Sequence, residues 1–177
     1  HQLSAFYLIA LLLSTYAFIH MHDSNHVAVI DYGSQYTQLI VRRVRELGYF
    51  AALYPPEDLD AIGKPAAIIL SGGPMSTSSP GAPDINFESL QGFGVPVLGV
   101  CYGMQLLNLK FGGAVEASEK REYGPAGLLP QVRDNLFEGV SDCSQVWMSH
   151  SDTVSRLPDN CRVLATNQHG TPVSLQW

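Results

Sequence analysis

The sequence predicts an α/β fold of three layers, in which a mostly parallel sheet is covered by helices on both faces. Short apolar runs rich in β-branched residues alternate along the chain with segments of helical periodicity. The apolar runs also lack the polar alternation of a half-exposed strand, which indicates strands buried on both faces. Glycine, proline and serine separate many of these segments, as expected for the connecting turns.

The first predicted strand spans 27–31, and an amphipathic helix follows it and ends at Gly48. Four apolar positions of this helix share one side, and four charged positions lie largely on the other. These positions are Leu39, Ile40, Val44 and Leu47 against Arg42, Arg43, Arg45 and Glu46. A second strand is expected at 50–54, and a short helix at 57–62.

The next segments repeat the alternation of strand and turn. Strands are expected at 66–70 and 95–100, with a loop over 75–84 that is rich in serine, threonine, proline and glycine. A helix is predicted from Gly103 to Phe111, where two glycines end it. Beyond residue 114 the pattern weakens, and shorter strands and loops are expected.

Composition excludes several classes of protein. The chain has 177 residues, of which 46% are hydrophobic and 15% charged, so it should fold around a core. Its net charge of -6 and scattered basic residues argue against a nucleic-acid partner. The three cysteines include no C-x-x-C pair, so neither a disulfide framework nor a metal site is expected. Free thiols fit a reducing compartment, and a cytoplasmic location is predicted.

Residues 1–26 form an apolar N-terminal segment that does not fit the rest of the chain. No charge occurs from Leu3 to Ile19, and no lysine or arginine precedes Arg42. A foreign or upstream-translated segment, a genuine anchor or signal, and a packed helix all remain open. A membrane partner is expected only if residues 1–20 are genuine, and the domain is taken as 27–177.

The motif with the clearest chemical meaning is Gly99-Val100-Cys101-Tyr102-Gly103. Its spacing is that of a nucleophile elbow, a tight strand-to-helix turn that exposes the central side chain. A thiol at the start of a helix also meets free N–H groups and the positive end of the helix dipole, which favour thiolate. A buried structural cysteine in a glycine-rich turn is the alternative, but a strand before Cys101 and a helix after it favour the elbow.

A second glycine-rich turn, Gly72-Gly73-Pro74, follows another predicted strand and should lie at the same end of the sheet. Acyl transfer places negative charge on an oxygen, which backbone N–H groups can stabilise. The amides of Gly73 and Tyr102 are therefore candidates for an oxyanion hole. Alone, the two glycines would indicate only an ordinary turn.

With these motifs, the chain resembles class I glutamine amidotransferases, and among them the amidotransferase domains of GMP synthases. The likeness runs from about Val27 to about Leu175. The elbow and the Ser-Gly-Gly-Pro turn are typical of the whole class. The stretches Asp-Tyr-Gly-Ser-Gln and Trp-Met-Ser-His narrow the resemblance to the GMP synthases within it. The matching stretches are 30–36, 70–74, 99–105, 111–113, 121–124 and 147–152.

The resemblance implies that Cys101 attacks the side-chain amide of glutamine and forms a thioester that water hydrolyses. Gly73 and Tyr102 would form the oxyanion hole, and the substrate would be held by Gln105, Ser149, His150 and Ser151. In that family the ammonia passes to an ATP-pyrophosphatase synthetase domain, which converts XMP to GMP. ATP and Mg²⁺ would belong to that partner domain, and this domain would need no cofactor or metal.

One family feature does not occur in the sequence. The family's catalytic base is a histidine in a His-Pro-Glu segment, and no such segment is present. His169-Gly170-Thr171-Pro172 instead predicts a turn between two strands, and His150 is expected to contact substrate. The domain is therefore expected to be truncated at its C-terminus and inactive alone.

Two other functions remain open from the sequence. The chain is either the glutaminase of another class I amidotransferase, such as that of anthranilate or carbamoyl phosphate synthesis, or a non-catalytic remnant that binds a partner. The segment 147–152 argues against the first of these, whereas the missing His-Pro-Glu motivates the second.

Overall fold

A computed structural model describes residues 26–132, 135–141 and 144–177. Its first sheet has four parallel strands in the order β2-β1-β3-β4. The register aligns Val27 of β1 with Ala51 of β2 and Ala67 of β3. The predicted parallel sheet is thus confirmed, and its strands are β1 (Val27–Ile30), β2 (Ala51–Tyr54), β3 (Ala67–Leu70) and β4 (Val97–Gly99).

Helices cover both faces of this sheet, as predicted. One face packs on α1 and the other on α3 together with a short 3₁₀ helix, because alternate residues of β1 point to opposite sides. Val29 belongs to the apolar cluster of α1, whereas Ile30 belongs to that of α3. The helices are α1 (Thr37–Glu46), the 3₁₀ helix (Leu59–Ile62), α2 (Phe87–Gly92) and α3 (Tyr102–Lys110).

A second sheet follows α3, and it corrects the expectation of shorter strands and loops beyond residue 114. Its four strands are antiparallel in the order β6-β5-β7-β8. The first two are long, with 17 residues in β5 and 13 in β6. The strands are β5 (Ala114–Pro130), β6 (Ser144–Arg156), β7 (Arg162–Thr166) and β8 (Pro172–Gln176).

The turn between β7 and β8 contains His169, so the predicted turn at 169–172 is confirmed. The Asn167 carboxamide oxygen accepts hydrogen bonds from the N–H groups of His169 and Thr171, both at 2.9 Å. These bonds fix the tight connection between the two strands.

Asn108 joins the two sheets. This α3 side chain is fully buried, and its Nδ2 donates to the carbonyl of Ala114 at 3.1 Å and to that of Arg156 at 3.2 Å. The two acceptors lie at the start of β5 and the end of β6. One carboxamide therefore holds α3 against both long strands of the second sheet.

We expect Asn108→Ala to lower the free energy of unfolding by about 2–3 kcal/mol, because two buried carbonyls lose their donor. Urea denaturation of the purified chain measures this loss. Asn160→Ala is the matched control, since Asn160 is exposed in a turn, and it should change stability by less than about 0.5 kcal/mol. Equal stability of the two variants would contradict the role given to Asn108.

Within the described ranges, no helix is long and apolar enough to cross a membrane. Residues 1–25 lie outside those ranges, so the three interpretations of the N-terminal segment stay predictions.

Candidate active site

Cys101 lies between the end of β4 and the first turn of α3, with φ 52° and ψ -109°. It is the single non-glycine residue with positive φ in the described part of the chain. Such a backbone conformation costs on the order of 1–3 kcal/mol and is found mostly at functional sites. The predicted nucleophile elbow is therefore present.

Two glycines allow this turn to close. A Cβ on Gly99 would lie 2.6 Å from the amide nitrogen of Met104, and one on Gly103 would lie 2.4 Å from the carbonyl oxygen of Leu70. Gly103 also donates its N–H to the carbonyl of Ser71 at 3.0 Å. The glycine spacing in the motif is thus required by close backbone packing of β4, α3 and β3.

The strain at Cys101 gives a prediction for stability. Cys101→Gly should be more stable than Cys101→Ala by about 1 kcal/mol, because glycine adopts positive φ without a clash at Cβ. Both variants lack the thiol, so the difference isolates the backbone term, and urea denaturation measures it. If the glycine variant proves no more stable than the alanine variant, the elbow is not strained.

The thiol of Cys101 is partly buried and donates to the carbonyl of Ser149 in β6 at 3.9 Å. Burial raises the pKa of this thiol, the Tyr102 N–H lowers it, and the negative charge of Asp152 raises it. The helix N-terminus thus acts in the predicted direction, but burial outweighs it. The predicted effect of the helix N–H groups is therefore present, and the net pKa of the thiol is nevertheless raised by burial.

This raised pKa predicts a pH dependence. In the folded chain, alkylation of Cys101 by iodoacetamide should reach half its maximal rate at a higher pH than in the urea-unfolded chain. Because the unfolded chain loses the proton first, folding stability should also fall as pH rises through the pKa of the unfolded thiol. Peptide mass spectrometry gives both alkylation profiles. A midpoint in the folded chain at or below the unfolded one would contradict the effect of burial.

The Ser-Gly-Gly-Pro turn borders Cys101, as predicted. A Cβ on Gly72 would lie 3.6 Å from the Cβ of Cys101, and one on Gly73 would lie 2.9 Å from the carbonyl oxygen of Tyr32. Across the described ranges, no backbone acceptor is found for the N–H of Gly73 or of Tyr102. The N–H of Tyr102 hydrogen-bonds to the Cys101 sulfur, whereas that of Gly73 is left without a backbone acceptor. Backbone N–H groups placed in this way are what an oxyanion hole needs.

The side chain of Tyr102 fastens the loop that follows this turn. Its hydroxyl donates to the carbonyl of Pro83, and its ring lies 5.0 Å from that of Tyr32. Lys110, also on α3, forms an ion pair of 2.7 Å with Asp84. The loop after Pro74 is therefore anchored to α3 at two neighbouring positions.

The predicted substrate-binding residues fall into three groups. The carbonyl of Ser149 lies next to the Cys101 thiol. The side chains of His150 and Ser151 are outside the part of the chain that the structure describes. Gln105 is buried, and its amide donates to the carbonyl of Asp152 at 3.1 Å. Gln105 thus holds β6 against α3, and its contact with substrate stays a prediction.

The segment 147–152, one of the stretches that carry the family resemblance, lies within strand β6. The register pairs Ser149 with Tyr123 and Asp152 with Ala117, and an irregularity separates the two pairs. Strand β6 lies at the edge of the second sheet, and the carbonyl of Ser149, next to its irregular stretch, accepts the Cys101 thiol.

No histidine ring contacts the Cys101 thiol among the side chains that the structure describes. His26 lies 3.1 Å from the Tyr54 hydroxyl, and His169 lies in the hairpin of the second sheet. The described site therefore holds the Cys101 thiol with the N–H groups of Tyr102 and of the adjoining Gly73 turn, and no histidine base is among its described side chains.

Comparison with known proteins agrees with this geometry. The family model "Glutamine amidotransferase class-I" matches residues 28–176. The chain therefore belongs to the class I glutamine amidotransferase family.

Within the family, the chain is similar to glutamine-hydrolysing GMP synthases. It is 50% identical over 147 residues to that of Thermosipho melanesiensis, and the match covers 81% of this chain and 28% of the relative. It is 45% identical over 153 residues to that of Latilactobacillus sakei, and this match covers 84% of this chain and 29% of the relative. The chain thus spans less than a third of the length of these relatives.

Solved structures show the same fold. A Thermoplasma acidophilum protein described as one subunit of a GMP synthase superposes with a TM-score of 0.72 at 27% identity, over 88% of this chain and 79% of that one. A glutamine amidotransferase of Thermotoga maritima superposes with a TM-score of 0.68 at 18% identity, over 88% of this chain and 73% of that one. The second likeness concerns the fold alone.

Proposed function

We propose that this chain is the glutamine-hydrolysing domain of a GMP synthase, with Cys101 as its nucleophile. The observation that carries the proposal is the strained backbone of Cys101, with the Tyr102 N–H on its sulfur and the unpaired Gly73 N–H in the adjoining turn. The identity to GMP synthases, 50% in the Thermosipho melanesiensis protein, favours this member of the family over others.

In the proposed reaction the sulfur of Cys101 adds to the side-chain carbonyl carbon of glutamine. The carbonyl oxygen takes the negative charge and accepts hydrogen bonds from the N–H groups of Gly73 and Tyr102. The carbon–nitrogen bond then breaks, and the leaving nitrogen takes up the thiol proton and departs as ammonia. Water adds to the resulting thioester, glutamate leaves, and the thiol is restored.

The released ammonia would pass to an ATP-pyrophosphatase synthetase domain that converts XMP to GMP. ATP and Mg²⁺ would be bound by that partner, and the amidotransferase step itself uses no cofactor. Cys101 and Cys161 are free thiols, which fits the cytoplasmic location that we propose.

A chimera tests the assignment to GMP synthesis. Residues 28–176 of this chain would replace the matching segment of the Thermosipho africanus GMP synthase, which is 51% identical over 150 residues. We expect GMP to form from XMP, ATP and glutamine, because the relative supplies all remaining parts of the enzyme. Ammonia in place of glutamine reports whether the chimera is folded. Activity with ammonia but none with glutamine would contradict the proposed function.

The 177-residue polypeptide by itself should release ammonia from glutamine at least about a thousandfold more slowly than the chimera, because loss of a catalytic partner commonly costs that much. A coupled glutamate assay measures the rate, and Cys101→Ala supplies the background. Release at a rate near that of the chimera would show that these residues hold a complete catalytic set.

The main alternative is the glutaminase of another class I amidotransferase, such as an anthranilate synthase. A second chimera, in which the same residues replace the matching segment of an anthranilate synthase glutaminase, distinguishes the two. Glutamine-dependent activity in that chimera, together with its absence in the GMP synthase chimera, would favour the alternative.

A further inference from the structure

Ser71 stands at the centre of a buried hydrogen-bond network that the catalytic scheme above does not use. Its side chain is fully buried between the end of β3 and the Gly72-Gly73 turn. Its Oγ accepts the N–H of Tyr32 at 3.1 Å and the hydroxyl of Thr37 at 3.1 Å. The same hydroxyl donates to the carbonyl of Gly72 at 2.9 Å.

The direction of the last bond follows from counting donors and acceptors. A serine hydroxyl carries one proton and two lone pairs. Tyr32 and Thr37 occupy both lone pairs of Ser71, so the single proton is left for the Gly72 carbonyl. Because the site is buried, water does not compete for this bond, and the bond is stronger than it would be at the surface.

Holding the Gly72 carbonyl also fixes the Gly73 amide. The two groups belong to one planar trans peptide, in which C=O and N–H point in opposite directions. With its oxygen held by Ser71, this peptide must direct the Gly73 N–H away from the Ser71 hydroxyl. The Gly73 amide has no backbone acceptor in the described ranges, so it is free to bind a ligand oxygen.

Such a restraint is needed because glycine is the least restricted residue. A peptide between two glycines can rotate about its flanking bonds with little steric penalty, which would exchange the directions of its N–H and C=O groups. A carbonyl turned toward the thiol would repel an oxyanion instead of stabilising it. The turn therefore needs an external group that selects one orientation.

We propose that Ser71 is a positioning residue, whose hydroxyl locks the Gly72–Gly73 peptide with the Gly73 N–H available to the oxyanion. This inference rests on the proposed glutaminase function. Thr37, the first residue of α1, and Tyr32, in the loop after β1, support this role because both donate hydrogen bonds to the Ser71 hydroxyl and so orient it.

The reaction rates of two electrophiles with Cys101 distinguish a positioning role of Ser71 from a general loss of stability. The first is 6-diazo-5-oxo-L-norleucine, a glutamine mimic whose ketone oxygen takes the place of the amide oxygen. The second is iodoacetamide, which alkylates a thiolate without placing an oxyanion. Peptide mass spectrometry of the 177-residue chain gives both rates at Cys101. Their ratio reports the oxyanion hole, because the thiolate fraction enters both rates and cancels.

In Ser71→Ala the ratio of the two rates should fall on the order of tenfold or more, since removing an oxyanion donor outright costs about a hundredfold to a thousandfold. Ser71→Cys keeps the size of the side chain but offers a weak donor, so its ratio should fall in the same direction. Ser174→Ala is the matched control: a buried serine of β8, whose loss should leave the ratio unchanged.

The outcomes are distinguishable. If the glutamine mimic modifies wild-type Cys101 and the ratio is unchanged in Ser71→Ala and Ser71→Cys, the positioning role is overturned and the proposed function stands. If the mimic fails to modify wild-type Cys101, the proposed function fails first. Should Ser71→Ala not fold in urea denaturation tests, the ratio in Ser71→Cys decides.

Discussion

Cys101→Ala should reduce glutamine-dependent GMP formation by the chimera at least about a thousandfold, because the proposed thioester forms on the sulfur of Cys101. Ammonia-dependent GMP formation should remain, since ammonia enters after the step that the thiol performs. Rates with glutamine and with ammonia are measured on the same preparation, and the ratio of the two isolates the loss of the nucleophile from any loss of folded protein.

Cys161→Ala is the matched control for this prediction. Cys161 is a second free, partly buried thiol, next to the start of β7 and outside the elbow. Its replacement should leave the ratio of glutamine-dependent to ammonia-dependent rates unchanged. A chimera that keeps its glutamine-dependent rate without the Cys101 thiol would contradict the catalytic role of that residue.

Gly103→Ala should destabilise the chain by about 3 kcal/mol or more, at the upper end of the usual cost of overpacking. The new methyl group would lie 2.4 Å from the Leu70 carbonyl oxygen and 2.8 Å from the carbonyl carbon. These atoms belong to the backbone of β3, an inner strand of the parallel sheet, and cannot move without disturbing it. Urea denaturation followed by circular dichroism measures the loss.

Gly92→Ala is the control for a glycine without this constraint. Gly92 lies in α2, and a Cβ added there would meet nothing within 4 Å. The substitution should be neutral or stabilising by up to about 1 kcal/mol, since alanine is the better helix former. Similar stability changes in the Gly103 and Gly92 variants would show that the elbow glycine is not required by packing.

The parallel sheet could be predicted because its strands are buried on both faces and carry a local signature of β-branched residues. Val27 to Ile30 are all buried, so an uninterrupted apolar run suffices to mark the strand. The elbow could be predicted for a similar reason. A Cβ on Gly99 would meet the backbone of α3, and one on Gly103 would meet that of β3, so glycine is required at both positions and leaves a fixed spacing in the sequence.

The second sheet could not be predicted in the same way. Strand β5 contains glycine, proline and several charged residues, so its 17 residues show no clean alternation. Pairing with β6 defines the strand, and those partners lie far away along the chain. Helix α2 was likewise not predicted, although Asn86 caps it by accepting the N–H of Ser89 at 3.0 Å.

At the site, the sequence indicated which residues lie close together, but not how deeply they are buried or which hydrogen bonds they form. The approach of Gly72 to Cys101 follows from parallel strands that end at one edge. The raised pKa of the Cys101 thiol depends on burial by neighbours from several elements, which no local pattern records. The role of Ser71 was also missed, because a serine after a strand reads as part of a turn until its three partners are known.

The role of Cys101 as a glutaminase nucleophile is tested most directly by finding which cysteine of the 177-residue chain reacts with the glutamine mimic 6-diazo-5-oxo-L-norleucine. Peptide mass spectrometry of the folded chain should place the modification at Cys101 ahead of Cys161, and excess glutamine should slow it. Modification of Cys161 or Cys143 first, or at a rate that glutamine does not change, would contradict the assignment of Cys101 as the nucleophile of a glutaminase site.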